Sequence, residues 1–227
     1  MLSPYYVDNV SDKTREVDLI CETQFRHAPG WGSRIHFLRI QLVVECKYIA
    51  SPTVFWFDVR DDERLLASLN EKTPFTTGKV RNSQQHYLRA GGLVAKLFAS
   101  KAALNRKEEN DPIYVAISQC LGALVQNPPF ITADDGGTPT HTIRYPMVVC
   151  QDNAQLFSAH VSDPDGPVTP LDRNFLLETN YAYLRRGNPH REYFLIDVVR
   201  LSGLTDFFAA LEAERKEAHS ILDDARD

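Results

Sequence analysis

Glu45 and Lys47 stand two residues apart near the end of an apolar run, in the segment QLVVECKYIA at positions 41–50. In a β-strand, residues i and i+2 point to the same side of the sheet, so both charges would project from one face and Cys46 from the other. Burying a charged group is costly unless it is paired or binds a metal. The segment therefore predicts either a buried ion pair or a cation-binding site.

A second acidic residue, Asp18, lies upstream in the apolar stretch VDLI, on what would be a neighbouring strand. Two adjacent carboxylates repel each other, and one takes up a proton unless a cation lies between them. Oxygen ligands on strands suit Mg²⁺ or Mn²⁺, which keep bound water and accept phosphate oxygens as further ligands. A neighbouring lysine can orient or deprotonate a water, or stabilise charge on a phosphate. Asp18, Glu45 and Lys47 together indicate metal-dependent phosphodiester hydrolysis.

Alternation of apolar and polar residues predicts the strands that would position these side chains. Segments 5–10 and 15–22 are predicted to form a hairpin, followed by a long central strand in RIHFLRIQLVVECKYI and another in PTVFWFDV. Towards the C-terminus, YPMVVCQDNAQLFSAHV is predicted to be two strands around a turn, and YFLIDVV one more.

Three helices are predicted from apolar residues at helical spacing. The first covers positions 83–104, with a polar and basic face opposite its apolar one. The second covers 111–126, with Asp111 as N-cap and Pro112 at the first helical position. The third begins near Leu204. Strands, then helices, then strands and a helix predict one α/β domain over residues 1–227.

The charge distribution is uneven. The net charge is −5, yet positions 72–107 contain eight basic residues and no acidic one. A local basic surface on an acidic protein is what phosphate contact requires, because counterion release depends on the local field. The alternative interpretation is a solvated helix face without acidic residues.

The remaining composition favours a soluble cytoplasmic protein without a membrane partner. No apolar run approaches the roughly 20 residues that span a bilayer, and the N-terminal segment lacks the layout of a signal peptide. The four cysteines are widely spaced, without a CxxC pair, as is typical of core thiols in a reducing compartment.

REVDLI followed by LVVECKY resembles the metal-binding core of the PD-(D/E)XK, or restriction-endonuclease-like, nuclease superfamily. The later segment YFLIDVVRLSGLTDFFAAL is similar, more loosely, to the closing strand and helix of bacterial stand-alone members. The resemblance implies a central mixed β-sheet flanked by helices and Mg²⁺-dependent (or Mn²⁺-dependent) cleavage of DNA. A homodimer is compatible with this resemblance.

The resemblance also implies roles for particular residues. Asp18 matches the motif aspartate, Glu45 the (D/E) position and Lys47 the lysine, and the backbone carbonyl of Cys46 would also face the metal. In many members the basic helix after the core strands faces nucleic acid. The residues expected to contact DNA here are Arg81, Gln85, Arg89 and Lys96. A glutamine sometimes completes the site in the family, for which Gln84 or Gln85 is expected here, with Gln119 as a weaker choice.

Two features depart from the family pattern. Members usually have a helix before the first strand, which often supplies a glutamate, whereas residues 1–4 alone precede the first predicted strand here. Val17 stands where the proline of the family name would precede Asp18. The sequence therefore leaves two alternatives open: a non-catalytic nucleic-acid-binding or interaction module with this fold, and a structural domain in which the three charges only pair with each other.

Overall fold

A computed structural model describes residues 2, 4–8, 13–27, 36–72, 76–77, 80–81, 85–100, 111–126, 131–133, 139–185 and 187–224. Its strands are β1 Tyr5–Asp8, β2 Lys13–Glu16, β3 Leu19–His27, β4 His36–Lys47, β5 Thr53–Val59, β6 Thr76–Thr77, β7 Val80–Arg81, β8 Leu93–Ser100, β9 Ile131–Ala133, β10 Pro139–Cys150, β11 Leu156–His160, β12 Thr169–Pro170, β13 Phe175–Arg185 and β14 Asn188–Arg200. Its α-helices are α1 Asp62–Lys72, α2 His86–Arg89, α3 Pro112–Gln126 and α4 Leu204–Asp224. The expected α/β class, a large mixed sheet flanked by few helices, is confirmed at this level.

One ten-stranded sheet organises these elements, in the order β12-β11-β5-β8-β13-β14-β10-β4-β3, with β9 paired to β10. Near one side of the sheet, β4, β10 and β14 run parallel, whereas β3 is antiparallel to β4. The carboxyl ends of β4, β10 and β14 therefore meet at one edge of the sheet. Open α/β sheets bind their ligands at this kind of edge.

The two faces of the sheet bury separate apolar cores. Helix α3 covers one face, where its residues pack against Val43, Val148 and Ile196. Helices α1 and α4 cover the other, where they pack against Leu42 and Val44. Because side chains alternate along a strand, Glu45 and Lys47 share the α3 face with Val43.

The prediction of one helix over positions 83–104 is wrong. In the described part of that segment, only His86–Arg89 is helical, and Leu93–Ser100 is strand β8. Gly91 and Gly92 end the helical turn, and β8 pairs with β5 on one side and β13 on the other. Pairing inside the sheet thus overrides an apolar pattern that fits a helix as well as a strand.

The other predicted elements are largely present. β1 and β2 form the predicted hairpin, although the second predicted strand is interrupted at Val17 and Asp18 before it resumes as β3. Asp111 accepts hydrogen bonds from the first backbone amides of α3, as expected of an N-cap. The closing helix begins at Leu204. Helix α1 and strand β13 were not predicted. No helix in the described part of the chain is long and apolar enough to cross a membrane.

Candidate active site

Asp18 and Glu45 lie side by side where β3 begins and β4 ends. The antiparallel register pairs Leu19 with Val44, so the next pair along the two strands is Asp18 and Glu45. The break between β2 and β3 is fixed by Val17, which is buried in the core on the α3 face and donates its backbone amide to the Pro4 carbonyl at 3.1 Å. Because of this break, Asp18 directly precedes β3 and is not part of the regular β-sheet.

Reciprocal hydrogen bonds join the two acidic residues. The Asp18 backbone amide donates to Glu45 Oε1 at 3.2 Å, and the Cys46 amide donates to Asp18 Oδ2 at 2.7 Å. Each carboxylate is thus held by the backbone beside the other one. The structure brings together the two predicted metal ligands from separate strands, and it places the Cys46 backbone next to them.

Lys47 completes the cluster and is shared between two partners. Its Nζ lies 2.6 Å from Glu45 Oε2 and donates to Gln119 Oε1 at 3.2 Å. Gln119, in the middle of α3, donates its own amide to the Glu16 carbonyl at 3.0 Å. Helix α3 therefore fixes the position of the Lys47 ammonium through a side chain that is itself anchored to β2.

Burial dominates the electrostatics of this cluster. Glu45 is 0% exposed, and this burial raises its pKa to about 7 although the Lys47 hydrogen bond and charge lower it. The Asp18 carboxylate adds a smaller upward contribution to the pKa of Glu45. A buried carboxylate whose one cationic partner does not fully compensate its charge is the kind of group that a bound cation stabilises.

The N-terminal hairpin packs on α3 beside the cluster, which the sequence did not indicate. Tyr6 on β1 packs so closely on α3 that a side chain at Gly122 would contact its hydroxyl. Burial raises the pKa of Tyr6, and the charges of Tyr181, Asp8 and Glu45 raise it further. Tyr6 is thus a neighbour of the site on the N-terminal hairpin. Its one signal in the sequence is its place in the predicted strand 5–10, which does not show that it lies near the site.

The donor set suits a hard cation that keeps much of its water. Asp18 and Glu45 supply carboxylate oxygens, and Mg²⁺ is commonly held in proteins by one or two carboxylates plus water and phosphate. Among the described residues, no group of three or more His, Cys, Asp or Glu side chains is arranged to hold a metal ion. The residues therefore fit a two-carboxylate Mg²⁺ site, and they do not form an all-protein cage.

The residues expected to contact DNA do not share a helix face. Gln85 is 1% exposed and caps α2, where its side chain accepts the Leu88 amide. Arg89 is exposed at the end of α2, and Lys96 on β8 pairs with Glu178 at 2.6 Å. The backbone of Arg81 lies in β7, and Gln84 falls outside the described residues. Of Gln85 and Gln119, the two that the structure describes, Gln119 contacts the cluster.

No known family model matches the chain, and neither a curated protein nor a solved structure is detectably similar to it.

Proposed function

We propose that this chain is a Mg²⁺-dependent nuclease of the restriction-endonuclease-like type that hydrolyses phosphodiester bonds in DNA. The observation that carries the proposal is the cluster of Asp18, Glu45 and Lys47. Each of its two carboxylates accepts a hydrogen bond from a backbone amide next to the other, and the Lys47 ammonium lies 2.6 Å from Glu45. Buried pairs contribute little stability that apolar residues would not match. A chemical role gives a better reason for charges at the end of a strand.

Each residue has a distinct part in the proposed reaction. Asp18 and Glu45 would hold the cation, which when bound supplies positive charge to the phosphate and a lower pKa for water. Lys47, as an ammonium, would hold the attacking water in position or donate to the phosphate oxygen as negative charge develops there. Gln119 would position the Lys47 ammonium, since it accepts from Nζ while it is anchored to the Glu16 carbonyl.

The surrounding fold supports this assignment. β4 and β10 are parallel neighbours that both pack against α3, and β3 is the antiparallel neighbour of β4. The cluster lies at the carboxyl end of β4, where open α/β sheets bind their ligands. All four cysteines are free thiols, in keeping with the proposed cytoplasmic location.

Cleavage assays test the proposal directly. Supercoiled plasmid and single-stranded DNA are incubated with the protein in Mg²⁺ or Mn²⁺, with EDTA as the metal-free control. We expect cleavage with either metal and none in EDTA. Intact substrates at protein concentrations well above the DNA concentration would overturn the nuclease assignment.

One observation favours a second candidate function, a non-catalytic module of the same fold that binds nucleic acid. Lys47 is already paired with Glu45, and the described residues offer two acidic side chains at the site, with no third ligand. DNA that is bound in the presence of Mg²⁺ but never cut would favour this module over the nuclease.

A further inference from the structure

Two of the three charged side chains of the proposed active site are largely buried. Glu45 is 0% exposed, and the Lys47 side chain is 18% exposed. The phosphates of duplex DNA lie on a stiff rod, whose persistence length is about 150 base pairs. A flexible single strand can bend into a recess that such a rod cannot enter.

The basic stretch that could have gripped a duplex is largely neutralised where the structure describes it. Lys72 lies 2.9 Å from Glu192, and Lys96 lies 2.6 Å from Glu178. Binding of duplex DNA depends on unpaired cationic side chains, which release counterions from the DNA when they contact its phosphates. Two of the three cations whose side chains the structure describes in this stretch are therefore engaged within the protein, which favours a further contact of another kind with the substrate.

Tyr48 provides such a contact directly beside the cluster. It follows Lys47 in the chain and is 73% exposed, whereas the next residue, Ile49, is buried. The Gln151 side chain fixes this backbone, accepting from the Ile49 amide at 3.1 Å and donating to its carbonyl at 3.0 Å. An exposed ring on a backbone held in this way is preorganised for stacking, because little freedom is lost on binding.

A second exposed ring lies on the N-terminal hairpin. Tyr5 on β1 is 70% exposed and pairs with Glu16 on β2. The carbonyl of Glu16 is the one that accepts from Gln119. Tyr48 and Tyr5 are thus connected, through Lys47 and Gln119 respectively, to the same buried cluster.

We infer that the substrate of this site is a single-stranded stretch of DNA, such as an overhang or a flap, whose bases stack on Tyr48 and Tyr5 while a phosphate between them enters the cluster. Burial alternates along residues 46–50, so Tyr48 projects from the side of the strand opposite Lys47. The bound strand would therefore pass over the end of β4. Stacking on aromatic rings tolerates any sequence, because every base has a π-face. The inference rests on the proposed nuclease function.

A binding measurement tests this substrate class separately from catalysis. Fluorescence anisotropy of a labelled 12-nucleotide single strand and of the matching duplex is recorded at one salt concentration, with Ca²⁺ in place of Mg²⁺ and probe integrity checked on a gel. We expect the single strand to bind at least about 10-fold more tightly. Tyr48→Ala should weaken single-strand binding by about 5- to 100-fold, whereas Tyr48→Phe keeps the ring and should bind within about 2-fold of wild type.

Phe208→Ala is the matched control, because Phe208 is an exposed aromatic residue (50%) on α4 that lies beside Ile40 and Leu42, in the middle of β4 and not at its end. Equal binding of duplex and single strand, or a Tyr48→Ala variant that binds like wild type, would overturn the inference even if Mg²⁺-dependent cleavage is intact. Conversely, Tyr48-dependent binding of single strands without any cleavage would refute the nuclease, and the bound strand would then be a ligand of the site and not its substrate.

Discussion

Glu45→Gln should lower the rate of Mg²⁺-dependent DNA cleavage by about 10²- to 10⁴-fold, the range expected when an essential acid–base or metal-binding group is lost. Glutamine has nearly the shape of glutamate and can still accept the Asp18 amide that Oε1 accepts at 3.2 Å. It removes the negative charge that the cation and Lys47 require. Lys47→Met should cause a loss of similar size, because it keeps the apolar stem and removes the ammonium.

Initial rates of conversion of supercoiled to nicked and linear plasmid measure the effect, with circular dichroism to confirm that each variant is folded. Glu22→Gln is the matched control, since Glu22 lies on β3 close to the site, is exposed, and accepts a hydrogen bond from Gln41. It should cleave like wild type. Full activity in folded Glu45→Gln and Lys47→Met would show that the cleavage arises elsewhere.

His86→Ala should lower the free energy of unfolding by about 3–5 kcal/mol, the range for breaking a buried ion pair by removing one partner. His86 Nε2 lies 2.7 Å from Asp197 Oδ1, and the His86 amide donates to Glu214 Oε2 at 2.9 Å. The Tyr145 hydroxyl also donates to Glu214. Without the imidazole, Asp197 would remain buried without its cationic partner, on the face of the sheet opposite the active site.

Urea unfolding at pH 7 measures this loss. The double variant His86→Leu with Asp197→Leu should be less destabilised than His86→Ala, because removing both charges leaves no uncompensated carboxylate. His160→Ala, at an exposed histidine, serves as the control. A loss below about 1 kcal/mol in His86→Ala would contradict a buried, charged role for His86.

The pH dependence of unfolding provides a second check on the same cluster. Burial raises the pKa of Glu214 from 4.5 to about 7, so its contribution to stability is present below pH 4.5 and is lost as the pH rises through about 7. Burial alone would lower the pKa of His86, but Asp197 and then Glu214 raise it above its ordinary value of 6.5. Its contribution is likewise lost on raising the pH. Glu214→Gln should therefore flatten the fall in stability between pH 4.5 and 7.

The sequence was sufficient to predict the acidic cluster because strand periodicity is local. Glu45 and Lys47 share a face since they are two residues apart, and Asp18 meets Glu45 because β3 and β4 are antiparallel neighbours in the chain. Gln119 could not be assigned with the same certainty, because its contact with Lys47 depends on how α3 crosses the sheet. That crossing is determined by packing of the whole core and not by residues near Gln119.

For the segment 83–104, by contrast, the sequence was not sufficient to predict the secondary structure. The apolar residues Tyr87, Val94 and Phe98 fit one face of a helix. They fit equally well a short helical turn followed by a strand, with Gly91 and Gly92 between the turn and the strand. Only the partners of β8, namely β5 and β13, decide between these alternatives. The basic helix face was predicted from the helical alternative. In the structure Lys96 lies on strand β8 and forms an ion pair with Glu178.

The central claim is that Asp18 and Glu45 hold a divalent cation, and calorimetric titration tests it most directly. Mg²⁺ and Mn²⁺ are titrated into the wild type, Asp18→Asn, Glu45→Gln and the Glu22→Gln control. We predict one binding event per chain in wild type and in the Glu22→Gln control, weakened at least about 10-fold in Asp18→Asn and in Glu45→Gln. A dissociation constant that is the same in all four proteins, or no binding to wild type at millimolar metal, would contradict the account and leave the three charges as a structural ion cluster.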